Sequence, residues 1–475
     1  MRHARLHARV LLALAALTFA ARAHAAVLVY HCILDPRQET SAVSSSGQGA
    51  GRFIIDTDAN TVTYRIAFGG LAGSETGAHI HGSASSSPGG NGGVLVSLPA
   101  GNPKVGVWNY TEAQEPMILA GLCYANIHSS LYPGGELRGQ IVPFNALLDA
   151  NQESPPTTST GKGWATATVD TAANTISYYI SYSGLTGAVT GAHFHGSKLH
   201  GASGGVKAGL AVTASPMIGT VGYAQGDEAA LLAGMFYVNL HTAAFGGGEI
   251  RGQLVPTIIP MDAQQEVSPN AATGSAGFVM IALDTLNKAL SYDERVVSLS
   301  GADLGAHIHG FAGPLGNAGV LAGQPSTPQK IGTWTYGAAN EVNVMSGLSY
   351  FNVHTAANPG GEIRGQLERL PFAAAILDVP VAPRQGASLA AAPNPFARRT
   401  VLSFQLARTG RVRMAIVGVD GRQVRSMGES LFAPGEHHLE WDGLDDAGAR
   451  VAPGVYFAVI TTPDGTRTTR LARLD

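Results

Sequence analysis

Nine histidines in this 475-residue chain recur in three sets of three. The first pair sits in Gly77-Ala78-His79-Ile80-His81-Gly82. It returns as Gly191-Ala192-His193-Phe194-His195-Gly196 and as Gly305-Ala306-His307-Ile308-His309-Gly310, at steps of 114 residues. The third histidine closes Tyr124-Ala125-Asn126-Ile127-His128, then Tyr237-Val238-Asn239-Leu240-His241, then Tyr350-Phe351-Asn352-Val353-His354. Each block runs on into Gly-Gly-Glu-x-Arg-Gly-Gln, ending at Gln140, Gln253 and Gln366. Residues i and i+2 of a strand share a face, so His79 and His81 point one way and Ala78 and Ile80 the other. Tyr124, Asn126 and His128 share a face by the same rule, as do Glu136, Arg138 and Gln140. A hairpin over residues 129–135 would set His128 across from Glu136.

Imidazole suits copper and zinc. A ligating histidine usually donates its second ring nitrogen to a carboxylate or carbonyl, and Glu136 could serve there. This predicts copper or zinc ligands at His79, His81 and His128, at His193, His195 and His241, and at His307, His309 and His354. A second reading of the same face needs no metal. Glu136, Arg138 and Asn126 would form a polar cross-strand network, as would Glu249, Arg251 and Asn239, and Glu362, Arg364 and Asn352. Two other motifs carry less. Gly201-Ala202-Ser203-Gly204-Gly205 fits a nucleophile elbow by composition but lacks the strand-turn-helix context. Asp56-x-Asp58-x-Asn60 starts like a calcium loop, lacks its later Gly and Glu, and reads as a hairpin turn.

The elements that must position these residues are short strands. Thr61-Val62-Thr63-Tyr64-Arg65-Ile66 alternates, and turns such as Asp58-Ala59-Asn60 and Pro133-Gly134-Gly135 separate such runs. Each unit is about 113 residues long and opens on a Gln-Glu pair, at Gln38-Glu39, Gln152-Glu153 and Gln265-Glu266. Asp35, Asp149 and Asp262 lie four residues before those glutamates. The fold class expected is all-β: tandem antiparallel β-sandwich domains of Ig-like or superoxide-dismutase-like Greek-key type, strung as independent beads. Their limits are 26–144, 145–256 and 257–370. An Ala- and Pro-rich linker follows at 371–392, and then a smaller β unit at 393–475 with a hairpin turn at Asp420-Gly421.

Glycine supplies 61 residues and charged residues only 13%. With 45% hydrophobic residues the chain is neither disordered nor, lacking a Gly-X-Y period, collagen-like. A net charge of −3 gives no footprint for nucleic acid. Arg2, Arg5 and Arg9 precede an 11-residue apolar run at 10–20, and Ala23-His24-Ala25 offers small residues for cleavage. Residues 1–25 therefore read as a secretory leader, with the mature protein soluble and secreted or at the cell surface. Removing it takes away four arginines and no acid, which shifts the net charge to −7. No later stretch is long and apolar enough for a transmembrane helix. The only two cysteines, Cys32 and Cys123, fall in the first unit and are expected to pair as a disulfide in an exported protein.

The opening Gln-Glu, the His-x-His-Gly and the closing Asn-x-His…Gly-Gly-Glu-x-Arg-Gly-Gln resemble the CHRD domain, in three copies over roughly residues 27–370. The resemblance implies a β-sandwich module outside the cell, of the kind found in the signalling inhibitor chordin and in exported bacterial proteins. It implies no particular biochemical activity; three tandem copies of one face point instead to a non-enzymatic surface or extracellular binding protein, gaining avidity for a multivalent ligand that the sequence does not identify. The tail, with Pro393-Asn394-Pro395-Phe396, Trp441-Asp442-Gly443 and Gly454-Val455-Tyr456-Phe457, resembles the Ig-like domain of the flagellar hook-capping protein. It is equally similar to the C-terminal sorting domain read by the type IX secretion machinery. That resemblance implies contact with secretion machinery or attachment to the cell surface. His-x-His on one strand and a later histidine ahead of a glycine-rich turn also look like a reduced copper site of Cu/Zn superoxide dismutase. That likeness implies an alternative role as a copper- or zinc-binding oxidoreductase. The bridging histidine and zinc loop of that enzyme have no counterpart.

Overall fold

The computed structural model describes residues 27–83, 88–269, 274–314 and 316–367, and in the tail 389–392, 394, 396–406, 410–418, 423–433, 435–462 and 465–474. The leader, residues 371–388 of the expected linker and the Asp420-Gly421 turn lie outside them. The chain is all-β and divides into two compact units, residues 1–376 and 377–475.

The first repeat contains β1 (Val27–Leu34), β2 (Gln48–Asp56), β3 (Thr61–Gly69), β4 (Glu75–Gly82), β5 (Val94–Ser97), β6 (Lys104–Asn109), β7 (Cys123–Ser129) and β8 (Leu137–Gln140). They form two four-stranded antiparallel sheets in the orders β1-β2-β3-β6 and β5-β4-β7-β8. Isolated bridges at His31–Val142 and Asp35–Arg138 join them. The second and third repeats keep this order, with single bridges Asp149–Arg251 and Asp262–Arg364 fusing the halves into eight-stranded sheets. Period-2 alternation places the core. Val62, Tyr64 and Ile66 of β3, Ala78 and Ile80 of β4, and Ala125 and Ile127 of β7 are buried together. The turn at Asp56 is the hairpin expected: its carboxylate accepts the Asp58 and Ala59 amides, and Asn60 has φ +52°.

The repeats are not independent beads. Ile33 and Ala50 of the first, Leu147, Trp164 and Val255 of the second, and Ile258, Phe278, Met280 and Ala282 of the third share one buried cluster. The strands at Phe144–Asp149 and Thr257–Asp262 are buried at every position. Both faces of these strands are covered, which a repeat standing alone in water would not provide. Three pairwise contacts close the set. Arg65 makes a two-pronged pair with Asp262, at 2.5 and 2.8 Å. Arg295 meets Asp149 at 2.5 Å. Gly89 lies against Tyr179. The aspartates four residues before the glutamate of each Gln-Glu also cap a one-turn helix, accepting the amides of Arg37, Gln152 and Gln264.

The second unit is a sandwich of a three-stranded sheet (Leu389–Ala392, Thr400–Leu406, Gly435–Trp441) and a four-stranded one (Gln423–Phe432, Gly410–Gly418, Gly454–Thr462, Gly465–Arg473). Phe396, Phe404 and Trp441 fill its core. Its first strand falls inside the stretch expected to be linker. Leu389–Ala392 pairs there with residues 401–404, and its run of alanines has no apolar–polar alternation that would mark a strand.

Candidate metal centre

The two inner strands of the second sheet carry the histidines. β4 and β7 pair so that His79 faces Asn126, His81 faces Tyr124 and Gly77 faces His128. His79 Nδ1 lies 3.1 Å from His128 Nε2, and His193 Nδ1 lies 3.1 Å from His241 Nε2. In each repeat, one nitrogen from each of the three rings falls within 4.8 Å of the others. Backbone carbonyls fix the rings. His81 Nδ1–H donates to Gly92 O at 3.0 Å, His195 to Gly204 O at 2.9 Å and His309 to Ala318 O at 3.0 Å. His128, His241 and His354 donate from Nδ1 to the carbonyls of Pro133, Gly246 and Pro359 at 3.0, 3.1 and 3.0 Å. Both donations leave Nε2 unprotonated, and in the first and second repeats the Nε2 of His128 and of His241 takes the contact with His79 and His193. In the third repeat His307 Nδ1, His309 Nε2 and His354 Nε2 are all buried without a hydrogen-bond partner. Burial lowers the pKa of His81, His195 and His309 and favours the neutral ring, against the smaller opposing pull of the carbonyls. Gly92 must be glycine to bring its carbonyl in, since a Cβ there would sit 1.4 Å from the Gly82 oxygen.

The sequence profile of the CHRD domain matches residues 30–141, 144–254 and 258–367. The chain belongs to the CHRD-domain family. Chordin of Xenopus laevis is 33% identical over 160 residues, a match covering 29% of this chain and 17% of that protein. Chordin of Danio rerio is 29% identical over 164 residues, with the same coverage. The chain thus spans only a small part of the length of the chordins it matches. Among solved structures, PorZ, an essential bacterial surface component of the type-IX secretion system of Porphyromonas gingivalis, aligns over 90% of this chain and 50% of its own. Its identity is 13% and its TM-score 0.15, too low to bear on the fold. No helix of the described residues is long and apolar enough to cross a membrane.

The glutamate expected beside the third histidine is elsewhere in each CHRD repeat. Glu136 is fully buried and accepts from the Ser45 hydroxyl and the Ala72 amide, both at 2.6 Å. Glu249 accepts from Ser159, Thr186 and Thr242, and Glu362 from Ser275, Ser300 and Thr355. Thr242 and Thr355 neighbour the third histidines but face the opposite side of the strand. Gly135, at φ +132°, turns the backbone just ahead of β8, so Glu136 precedes the ladder and leaves the histidine face. Carbonyls take the orienting role instead. These hydroxyl and amide donors hold the Glu362 carboxyl down at about 2, against the opposing effect of burial. Glu362→Gln is expected to lower stability by about 2 kcal/mol at pH 7, read by urea unfolding, since each bond to a charged acceptor contributes about 1.5–3 kcal/mol. The loss should shrink as pH falls toward 2, where the carboxylate itself protonates.

Arg138 and Asn126 do line the histidine face, with partners the sequence did not indicate. Arg138 is buried and donates to Gly90 O and Asn91 Oδ1 at 2.8 and 2.9 Å. Its guanidinium lies 3.6 Å from the Tyr124 ring, and Tyr124 stacks on His81 at 4.9 Å with 5° between planes. Arg251–Tyr237–His195 and Arg364–Tyr350–His309 repeat this stack. The tyrosine buttresses the second histidine, a role that its place on the shared strand face alone could not reveal. Asn126 meets Glu39 rather than Glu136. Burial raises Glu39, Glu153 and Glu266 to about 7, although Arg138, Arg251 and Arg364 respectively pull them down. The repeated Gln-Glu was the available clue. Gln38 takes the Gln140 amide on its oxygen and donates to Ile33 O, so the pair pins the two sheets together.

Cys32 and Cys123 are both buried as free thiols, which corrects the expected disulfide. They belong to β1 and β7, in opposite sheets of the first repeat, and pack as small apolar groups in the same core. Burial pushes the Cys123 thiol up to about 12 and Cys32 further still. Ser203 of the elbow-like motif sits in an exposed loop and donates its hydroxyl to Ser154 O at 3.4 Å, a backbone carbonyl rather than a general base.

Proposed function

We propose that each CHRD repeat is a metal-binding module of an extracellular binding protein and holds copper or zinc on three histidines. The donors are Nδ1 of His79 and Nε2 of His81 and His128, with His193, His195, His241 and His307, His309, His354 matching them. The observation that carries this reading is the trio of buried, partnerless nitrogens in the third repeat. An unsatisfied buried group costs about 1–3 kcal/mol, and a cation that prefers imidazole would occupy all three lone pairs at once. The carbonyls on the far nitrogens supply the outer orientation such ligands require. The match to the CHRD regions of chordin supports an extracellular binding role. A leader over residues 1–25, cleaved after Ala25, and a sorting or attachment role for the tail fit the same reading. N-terminal mass measurement of the exported protein checks the cleavage.

Purified full-length chain loaded with zinc or copper and then desalted is expected to hold three ions, counted by elemental analysis. His81→Ala should leave two. A chain that retains no metal sinks the reading.

A further inference from the structure

The loop that orients the second histidine of one repeat is also seated on the next repeat. In the second repeat the Gly204 carbonyl holds His195. A few residues earlier, the His200 amide donates to the Ser291 hydroxyl of the third repeat at 3.2 Å, and His200 Nδ1 lies 2.9 Å from the same oxygen. His200 is 6% exposed and Ser291 fully buried. Burial keeps His200 neutral, its pKa pushed down to about 3. A neutral Nδ1 accepts the serine proton while the serine oxygen accepts the amide, so one hydroxyl satisfies both groups. Leu199 packs beside them into the cluster shared between repeats. The first repeat has the same layout. Its loop carries Gly92, and a Cβ on Gly89 would lie 2.5 Å from the Tyr179 hydroxyl of the second repeat.

We infer that His200 and Ser291 are positioning residues for the second metal centre, holding the 199–204 loop so that the Gly204 carbonyl orients His195. The inference rests on the three-histidine reading above. The loop is also tied within its own repeat, by the Gly204 amide to the Tyr237 hydroxyl at 2.9 Å and by Gln253 to Lys198 O at 2.7 Å. Cutting the bond to Ser291 therefore loosens the carbonyl rather than removing it. Linkage makes the coupling reciprocal: metal on His195 must tighten the contact between the second and third repeats.

The test uses the full-length chain carrying His79→Ala and His307→Ala, which leaves only the second centre intact. Cobalt(II) reports the geometry of the site by its visible absorption, and zinc competition gives the affinity. Ser291→Ala is expected to weaken binding on the order of tenfold, the lower end for groups that orient metal-binding histidines, and to shift the cobalt bands. Ser291→Thr keeps a hydroxyl and should restore both. From the other side of the bond, His200→Asn retains an acceptor at the Nδ1 position and should bind more tightly than His200→Leu; this pair serves if Ser291→Ala does not fold. Hydrogen exchange at the His200 amide should slow when metal is added. Unchanged affinity and spectrum in both Ser291→Ala and His200→Leu would overturn the positioning role and leave the metal centre standing. A parent chain that takes up neither cobalt nor zinc removes the three-histidine reading itself.

Discussion

Zinc at a hundredfold excess over its dissociation constant is expected to stabilise the three-repeat unit by about 2.7 kcal/mol for each occupied site. The measurement is urea or thermal unfolding of the full chain with zinc and with a chelator. The buried cluster shared by Ile33, Leu147, Trp164, Phe278 and Met280 ties the repeats into one unit. The increments should therefore appear in one transition, and His81→Ala, His195→Ala and His309→Ala should each remove one. Their effect without metal separates ligation from packing. The free site keeps His81 Nε2 buried with no partner. Deleting the ring relieves that cost of about 1–3 kcal/mol while losing its stack on Tyr124 and its bond to the Gly92 carbonyl, each contributing about 0.5–1.5 kcal/mol. His81→Ala should thus be close to neutral in chelator and destabilising in zinc. Equal losses under both conditions would mean that the imidazole serves only to pack.

The face of each histidine was legible because a strand has one period. Ala78 and Ile80 had to face the core once His79 and His81 shared the other face, and β4 obeys this, with the alanine and isoleucine buried and the histidines half-buried. The convergence of His128 with them was not legible in the same way: the glycine-rich hairpin that follows it sets only β7 against β8, and the pairing of β4 with β7 is long-range. Glu136 was misread because period-2 arithmetic holds only inside a ladder, and Gly135 breaks it two residues before β8 begins. The contacts between repeats were harder to see. Thr257-Ile258-Ile259-Pro260-Met261 is apolar on both faces, a mark of a strand covered on both sides. What covers the second face is another repeat, about which a local pattern carries no information. The carbonyls of Gly92, Gly204 and Ala318 are invisible for a different reason: every residue has one, and only the path of the loop chooses which is used.

Glu153→Gln is expected to leave stability unchanged near pH 4 and to raise it by up to about 3 kcal/mol at pH 8, measured by urea unfolding across that range. Glu153 is 7% exposed, and burial raises its carboxyl from 4.5 to about 7 despite the neighbouring Arg251. Asn239 Nδ2 donates to Glu153 Oε2 at 3.5 Å, while Glu153 Oε1 and Asn239 Oδ1 both lie buried without a donor. A Cβ on Gly248 would meet Asn239 Oδ1 at 2.5 Å and Glu153 Oε1 at 2.7 Å, so these atoms crowd one spot against glycine backbone. A proton on Oε1 turns two orphan acceptors into one acid–amide pair, and the side-chain amide introduced by Glu153→Gln makes the same pair without needing the proton. Between pH 4.5 and 7 the unfolded chain has released its proton and the folded chain has not. Stability falls with rising pH through that window, by about 1.4 kcal/mol per unit for this group, and is flat below it. The variant lacks that slope, so the two curves should meet at low pH and separate as pH rises. Parallel curves would show that Glu153 is ionised in the folded protein. Glu362, held at about 2 by hydroxyl donors, slopes the opposite way, since its contribution is present above the ordinary carboxylate range and is lost as pH falls through that value. The third repeat therefore keeps Glu266, raised to about 7, protonated beside the histidine face and Glu362, lowered to about 2, ionised behind it, and their opposing slopes should balance between the two windows, near pH 4.5.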